Sequence, residues 1–309
     1  MRNSDKLSNP IRIRTNSSIF GRENITSYFF ILPVLIFLGI YVFYPVITSF
    51  YYNFIKWDGL SAKQTFVGFG NYIELFKDKY FWKSLLNTFY WIVLGALFQI
   101  PMGMLLAVFL QKKIKFNNII RTVIFMPVVI SAVAVGILWK LMFEQNFGLV
   151  NSFLNLIHLG QFAQSWLGNA NIVIFCIIFV NCWQYTGFHM VLYLAGLSNI
   201  PVELYEAAKI DGADEIKQFF KISLPLLKEA LVMSVILLVT GSLKTFDIVW
   251  TMTQGGPNHS SEVLASYFFI NAFRNHTLGY ASVVATFILV LALGFSIFQI
   301  KVSKVGELK

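Results

Sequence analysis

SLLNTFYWIVLGALFQIPMGMLLAVFLQ, residues 84–111, is a run of twenty-eight residues without one Asp, Glu, Lys or Arg. Crossing the hydrocarbon core of a bilayer takes about 20 mostly apolar residues in a helix, and this stretch exceeds that with no charge to bury. Two further runs, 28–53 and 277–300, are equally free of charge. Three spans are less clean. Residues 121–143 are interrupted only by Lys140 near the end, 171–197 carry polar groups, and 225–243 hold Lys228 and Glu229 in the first turns. The expectation is an all-α membrane protein with six transmembrane helices. Composition agrees, since 57% of the 309 residues are hydrophobic and 13% are charged, too apolar for a soluble domain.

The first span exceeds the short apolar region of a secretory signal and no small-residue cleavage site follows it, so it reads as a retained helix. A net charge of +9 suits nucleic acid when spread over a soluble surface, but in a membrane protein the placement of Lys and Arg matters more than their sum. With the N-terminus inside, sixteen of the twenty-four basic residues fall in inner segments, among them Arg2, Arg12, Lys112, Lys113, Lys209, Lys217, Lys221 and Lys301. Both termini are therefore expected on the cytoplasmic side of a cell membrane, with no nucleic-acid partner. Residues 1–26 read as a loosely ordered cytoplasmic tail and 27–309 as one transmembrane domain. Cys176 and Cys182 lie on different faces of one predicted helix, which argues against a disulfide or metal pair.

The outer connections carry turn signals. Gly70 and Asn71 open a short amphipathic helix, Phe147 to Asn151 turns into another, and Gln254-Gly255-Gly256-Pro257-Asn258 is a strong turn followed by an apolar segment, 263–273, too short to span. That segment is expected at the interface or as a re-entrant piece.

The inner connection between spans four and five reads LYEAAKIDGADEIKQFFKISLP, residues 204–225. Pro201 suits a helix start and Glu203 complements the positive N-terminal end. Ala207 and Ala208 favour helix, Gly212 is a natural stop, and a second helix follows from about Ala213 to Lys221. The physics alone gives a helix, a break and a helix, which a membrane-surface connector would also satisfy.

This segment resembles the EAA loop of ABC-importer permeases. Glu206, Ala207, Ala208, Gly212, Ile222, Leu224 and Pro225 each stand at the position that loop specifies. The resemblance implies that the first short helix docks on a cytoplasmic ATPase, with Glu206 and Asp211 making polar contacts, Ala207 and Ala208 allowing close approach and Gly212 supplying the bend. Looser features extend the likeness to the binding-protein-dependent sugar permeases of the maltose and multiple-sugar type. They include Gly68 to Tyr72, Asn87 with Thr88, Arg121 with Pro127, and Phe246-Asp247 leading to Gly255-Gly256-Pro257. The fold implied is that of a type I ABC importer permease. The partners implied are a second homologous permease in a heterodimer, two ATPase subunits that bind the ATP, an external solute-binding protein and the lipid bilayer. No cofactor of the chain's own is implied.

Polar residues at membrane depth usually face a cavity or bundle interior. Span four supplies Asn181, Trp183, Gln184, Tyr185, Thr186, Phe188 and His189, and the outer half of span five supplies Ser242, Lys244, Thr245, Phe246 and Asp247. Rings beside amides, hydroxyls and charges suit a sugar, and the resemblance places a substrate cavity on these two helices. Asn181, Gln184, Tyr185, Phe188, His189, Lys244, Thr245 and Asp247 are the substrate-binding candidates. The alternative is that the aromatics anchor the chain at the interface and the polar groups join helices. Lys244 and Asp247, three apart, also suit an i,i+3 pair on one helix.

Other classes fit less well. No Gly-Lys-Ser or Gly-Lys-Thr occurs, so the chain has no phosphate loop and energy must come from a partner. An ion-coupled secondary transporter calls for internal repeats with interrupted helices and intramembrane carboxylates; no repeat is visible and Asp247 is the one clear acidic candidate at depth. An ABC permease for a non-sugar solute such as a glycerol phosphate stays open. His158, His189, His259 and His276 are scattered, giving no metal site and no catalytic set.

Overall fold

A computed structural model describes residues 22–112 and 115–305. The expected tail up to residue 21, Lys113, Ile114 and residues 306–309 lie outside the described residues. The described residues divide into two compact units, one up to Thr48 and one from Ser49 onward.

The first unit is helical. Helix α1, Arg22–Leu38, begins inside the stretch expected to be loose, and a π turn, Gly39–Phe43, passes it into α2, Tyr44–Tyr52. Phe29–Tyr52 is a candidate span with a mean hydropathy of 2.5.

In the second unit a two-stranded antiparallel ribbon, β1 (Ile55–Lys56) and β2 (Thr65–Phe66), leads to α3, Gly70–Lys77, the amphipathic helix foreseen from Gly70. Buried Asn71 fastens α3 to the ribbon by donating to the carbonyls of Asn53 and Ile55, each at 2.9 Å. Helix α4, Lys79–Gln111, contains the opening run of sequence. Its cap is Asp78, whose carboxylate accepts from the Tyr80 amide at 2.8 Å and so satisfies one of the free donors of a helix start.

The third expected span is broken. Helices α5, Asn117–Val129, and α6, Ala132–Met142, meet at 97° across Ile130, which has extended backbone, and Ser131. Helix α7, Leu149–Leu156, follows in the next connection, where buried Asn151 donates to the Gln145 and Gln164 carbonyls. Helix α8, Val173–Ser198, crosses the centre of the bundle. It is followed by α9 (Val202–Ile210), α10 (Glu215–Gln218), a π turn over Phe219–Ser223 and α11 (Leu224–Leu226). Helix α12, Lys228–Leu243, sets off after a 67° bend at Leu227. It stops before Lys244, and α13, Asp247–Thr253, begins afresh. Helices α14, Leu264–Phe269, and α15, Leu278–Val305, complete the chain.

Four helices among the described residues are long and apolar enough to cross a membrane, and six spans result when each bent pair counts as one. The segment 263–273, expected at the interface or as a re-entrant piece, packs against other helices of the unit. Leu264 and Tyr267 are buried with Leu75, Phe81, Tyr280 and Val284 of α3, α4 and α15. The Tyr267 hydroxyl reaches Asp78, which binds the segment to the start of α4.

Backbones approach closely where the sequence supplies glycine. A Cβ at Gly187 would stand 2.2 Å from the Ile124 carbonyl oxygen, and one at Gly103 would stand 2.8 Å from the His189 Cβ. These contacts seat α5 and α4 against α8. A second buried cluster, including Met104, Leu110, Tyr193, Leu197 and Leu227, fills the end of the bundle that carries α9 to α11.

Candidate functional site

Two places in the fold gather the residues singled out in the sequence. The first is the segment from α9 to α11. Helix α9 ends in a Schellman arrangement: the Gly212 amide donates to the Lys209 carbonyl at 3.2 Å and the Ala213 amide to the Ala208 carbonyl at 2.8 Å. This ending needs a left-handed residue, which Gly212 supplies with φ of +77°. Asp214 then caps α10 by accepting from the Lys217 amide at 2.8 Å.

Glu206, Ala207, Asp211 and Gly212 are exposed on one short rod, with Ala208 half-buried behind them. Ile210 is 87% and Ile216 69% exposed, an apolar display suited to a protein partner rather than to water. The rod is not loose. Tyr205 is bonded through its hydroxyl to Ser223 at 2.9 Å, and Lys112 at the end of α4 pairs with Glu215 at 2.7 Å. That ammonium, through its hydrogen bond, holds the exposed Glu215 carboxyl below the usual carboxylate range. Ile222 and Leu224 are half-buried, Pro225 lies in the first turn of α11, and Leu227 is sealed in the core at 1% exposure. Helix α9 is therefore tied to α4, α8 and α12 by covalent and packed connections.

The second place is a cavity of about 350 Å³. Helix α8 lines it with Asn181, Gln184, Tyr185, Phe188 and His189. The α12–α13 break contributes Lys244, Thr245, Phe246 and Asp247, with Ser242 just before it. All eight substrate-binding candidates share this one space. Trp183 and Thr186 do not. They face a separate apolar groove between α4, α5 and α8, where Trp183 packs edge-on against Trp139.

Sequence reasoning missed Trp91 and Gln99 of α4, which also line the cavity. Gln99 donates to Asn181 at 3.2 Å, joining two helices across the wall. Its signal was present, a lone amide in the middle of the uncharged run, but Pro101 and the surrounding apolar residues gave no face to place it on.

One expectation about charge needs correction. Lys244 and Asp247 are not on one helix and form no ion pair among the described residues. Lys244 caps the C-terminal end of α12 and Asp247 opens α13, so each charge complements a helix end instead of the other. His189, at the cavity wall, is buried at 3% exposure, with Nδ1 at 2.6 Å from the Ser234 hydroxyl of α12. Tyr193 donates to the same hydroxyl at 2.6 Å. The histidine serves as a hydrogen-bonded strut between α8 and α12. No group of three metal-ligating side chains occurs among the described residues.

A broken-helix bundle around a partly polar cavity, with an exposed helix-turn-helix rod at one end, defines a membrane transport component rather than an enzyme. The chain belongs to the family of binding-protein-dependent transport system inner membrane components, which matches residues 99–304. It is therefore a permease of a binding-protein-dependent ABC importer. It is 36% identical to the probable ABC transporter permease protein YurN of Bacillus subtilis over 93% of this chain and 99% of that one. It is 33% identical to the multiple sugar-binding transport system permease protein MsmF of Streptococcus mutans, over 90% and 95% respectively. The fold matches a chain from the crystal structure of a bacterial ABC transporter involved in the import of the acidic polysaccharide alginate. The TM-score is 0.81 at 24% identity, covering 91% of this chain and 96% of that one.

Proposed function

We infer that this permease moves an oligosaccharide, delivered by an external binding protein, through the cavity between α8 and the α12–α13 break. The observation that carries this reading is the make-up of the cavity wall. Tyr185, Phe188 and Phe246 offer rings to the C–H faces of a sugar, while Asn181, Gln184, Thr245 and the two charged side chains meet its hydroxyls. The likeness to a multiple-sugar permease supports the same cargo class. Lys244 and Asp247 cancel in formal charge, which favours a neutral oligosaccharide.

Energy comes from two ATPase subunits, which bind the ATP, through docking of α9 and the adjoining Glu206–Pro225 segment. A second, homologous permease completes the pore. Both termini and the α9–α11 end face the cytoplasm, following the Lys and Arg bias. The interrupted helices also occur in ion-coupled transporters, but the rod at Glu206–Pro225 has no use in one.

One observation favours a second cargo. Lys244 has no carboxylate partner among the described residues, so a uronate group would suit it. The test is uptake by the purified transporter, with its partner subunits and binding protein, of a neutral maltooligosaccharide and a uronate oligosaccharide. Uptake of the neutral sugar, surviving Lys244→Gln in part, supports the first reading. Uptake of the uronate alone, abolished by Lys244→Gln, supports the second, and uptake of neither removes the carbohydrate reading.

A further inference from the structure

Helix α3 buries one side and leaves an apolar stripe on the other. Asn71 and Leu75 are sealed against the core. Phe69 at the cap, Ile73 and Phe76 share the opposite side by their spacing of four and three, and each is at least half exposed. The stripe does not end with the helix. Trp82 of α4, also half exposed, packs on Phe76 with ring centroids 6.2 Å apart, and its Nε1 donates to the Phe76 carbonyl at 2.9 Å. From Trp82 the same face of α4 continues through Leu86 and Phe89, both exposed. Trp82 stands two residues before the uncharged run 84–111, the level at which hydrocarbon gives way to headgroups and where tryptophan is favoured.

The charges beside this surface are free. Lys77, in the last turn of α3, and Lys79, at the start of α4, are exposed and take part in no ion pair among the described residues. The acid between them is turned inward. The Asp78 carboxylate accepts from the Tyr80 amide at 2.8 Å, from the Tyr280 hydroxyl at 3.2 Å and from the Tyr267 hydroxyl. Both lysines also belong to the minority of basic residues that the Lys and Arg bias leaves on the outer side. A bias that keeps cations inside gives no reason for two unpaired ammonium groups at the outer edge of a span.

The geometry points to this corner as a binding site for anionic phospholipid: the stripe from Phe69 to Trp82 lies in the outer leaflet and Lys77 and Lys79 hold the lipid phosphates. An apolar helix face flanked by lysines is the form that lies in a bilayer surface, and each lysine near such a surface favours negatively charged headgroups. The continuation onto α4 favours lipid over a protein partner, because it runs into a segment that must itself cross the hydrocarbon. The site is separate from the cavity and independent of the cargo.

Bromine on a phospholipid acyl chain quenches a tryptophan that it touches, so Trp82 reports its own surroundings. The complete transporter is placed in mixed bilayers of phosphatidylcholine and phosphatidylglycerol, one of the two brominated, and the Trp82 signal is taken as wild type minus Trp82→Phe. Both lipids are expected to quench, with phosphatidylglycerol favoured across the mixtures by about fivefold for each lysine. Lys77→Gln combined with Lys79→Gln is expected to bring the relative affinity close to one. Ile73→Trp on a Trp82→Phe background gives a second reporter that does not depend on the Trp82 bond to Phe76, and the same pattern is expected there. Absence of quenching at both positions means that a protein partner covers the stripe, and it overturns the lipid docking. Equal quenching by the two lipids in wild type, or a preference that survives the double lysine variant, overturns the anionic-lipid site.

Discussion

Gly212 holds a left-handed backbone in open space, with no atom within 4 Å of where a Cβ would be. Its requirement is conformational, not steric. Gly212→Ala therefore costs about 1–2 kcal/mol of local strain and is expected to leave the permease assembled with reduced coupling. Gly212→Pro fixes φ near −65°, destroys the Schellman ending, and is expected to lower uptake by about tenfold or more. Gly187 presents the opposite case. Gly187→Ala drives a methyl into the Ile124 carbonyl and is expected to cost about 1–3 kcal/mol of overpacking, read as a lower unfolding midpoint and poorer recovery from the membrane.

At Glu262, burial raises the carboxyl above the usual glutamate range, and the nearby His259, at 2.9 Å, draws it part of the way back. A carboxyl raised in the folded state adds stability at pH below its unfolded value and loses it as pH rises through the folded value. Thermal midpoints between about pH 4 and about pH 8 should therefore fall less with rising pH in Glu262→Gln than in wild type. A steeper fall in the variant would contradict this.

Among the elements, the break between α12 and α13 decides how the cavity charges behave. Each of Lys244 and Asp247 interacts with its own helix end, worth about 0.3–1 kcal/mol, so Lys244→Gln and Asp247→Asn should add in their effects on uptake. Recovery in the double variant would contradict this. This break and the elbow at Ile130 were invisible in the sequence. Neither Ile130-Ser131 nor Lys244-Thr245-Phe246 contains glycine or proline, and both are held by tertiary contacts: the bond from Gln184 to the Ile130 carbonyl in one case and Phe246 against Phe269, ring centroids 4.8 Å apart, in the other. The α9–α10 turn was legible because its causes are local, a glycine stop and an acidic cap within a few residues. The cavity residues were legible as a group, since polar side chains in apolar helices converge on an interior. Which of them touch each other was not, and His189 and Lys244 show why: Ser234 lies far along the chain from His189, and Lys244 has no carboxylate partner among the described residues.

Across the whole molecule, the connections 53–78, 143–172 and 254–277 are expected on one side of the membrane and 199–227 on the other. Reporter fusions should place residues 209–221 inside and 145–164 outside; the reverse would separate the Glu206 rod from any cytoplasmic ATPase. The central claim is that this rod carries ATP-driven force from a partner to the cavity. Its most direct test is uptake and ATP hydrolysis measured together in vesicles bearing the complete transporter, for wild type, Glu206→Lys and Gly212→Pro. Normal insertion of all three is expected, with binding-protein-dependent uptake tied to hydrolysis in wild type and lost in both variants. Wild-type uptake with wild-type hydrolysis in Glu206→Lys and Gly212→Pro would contradict it.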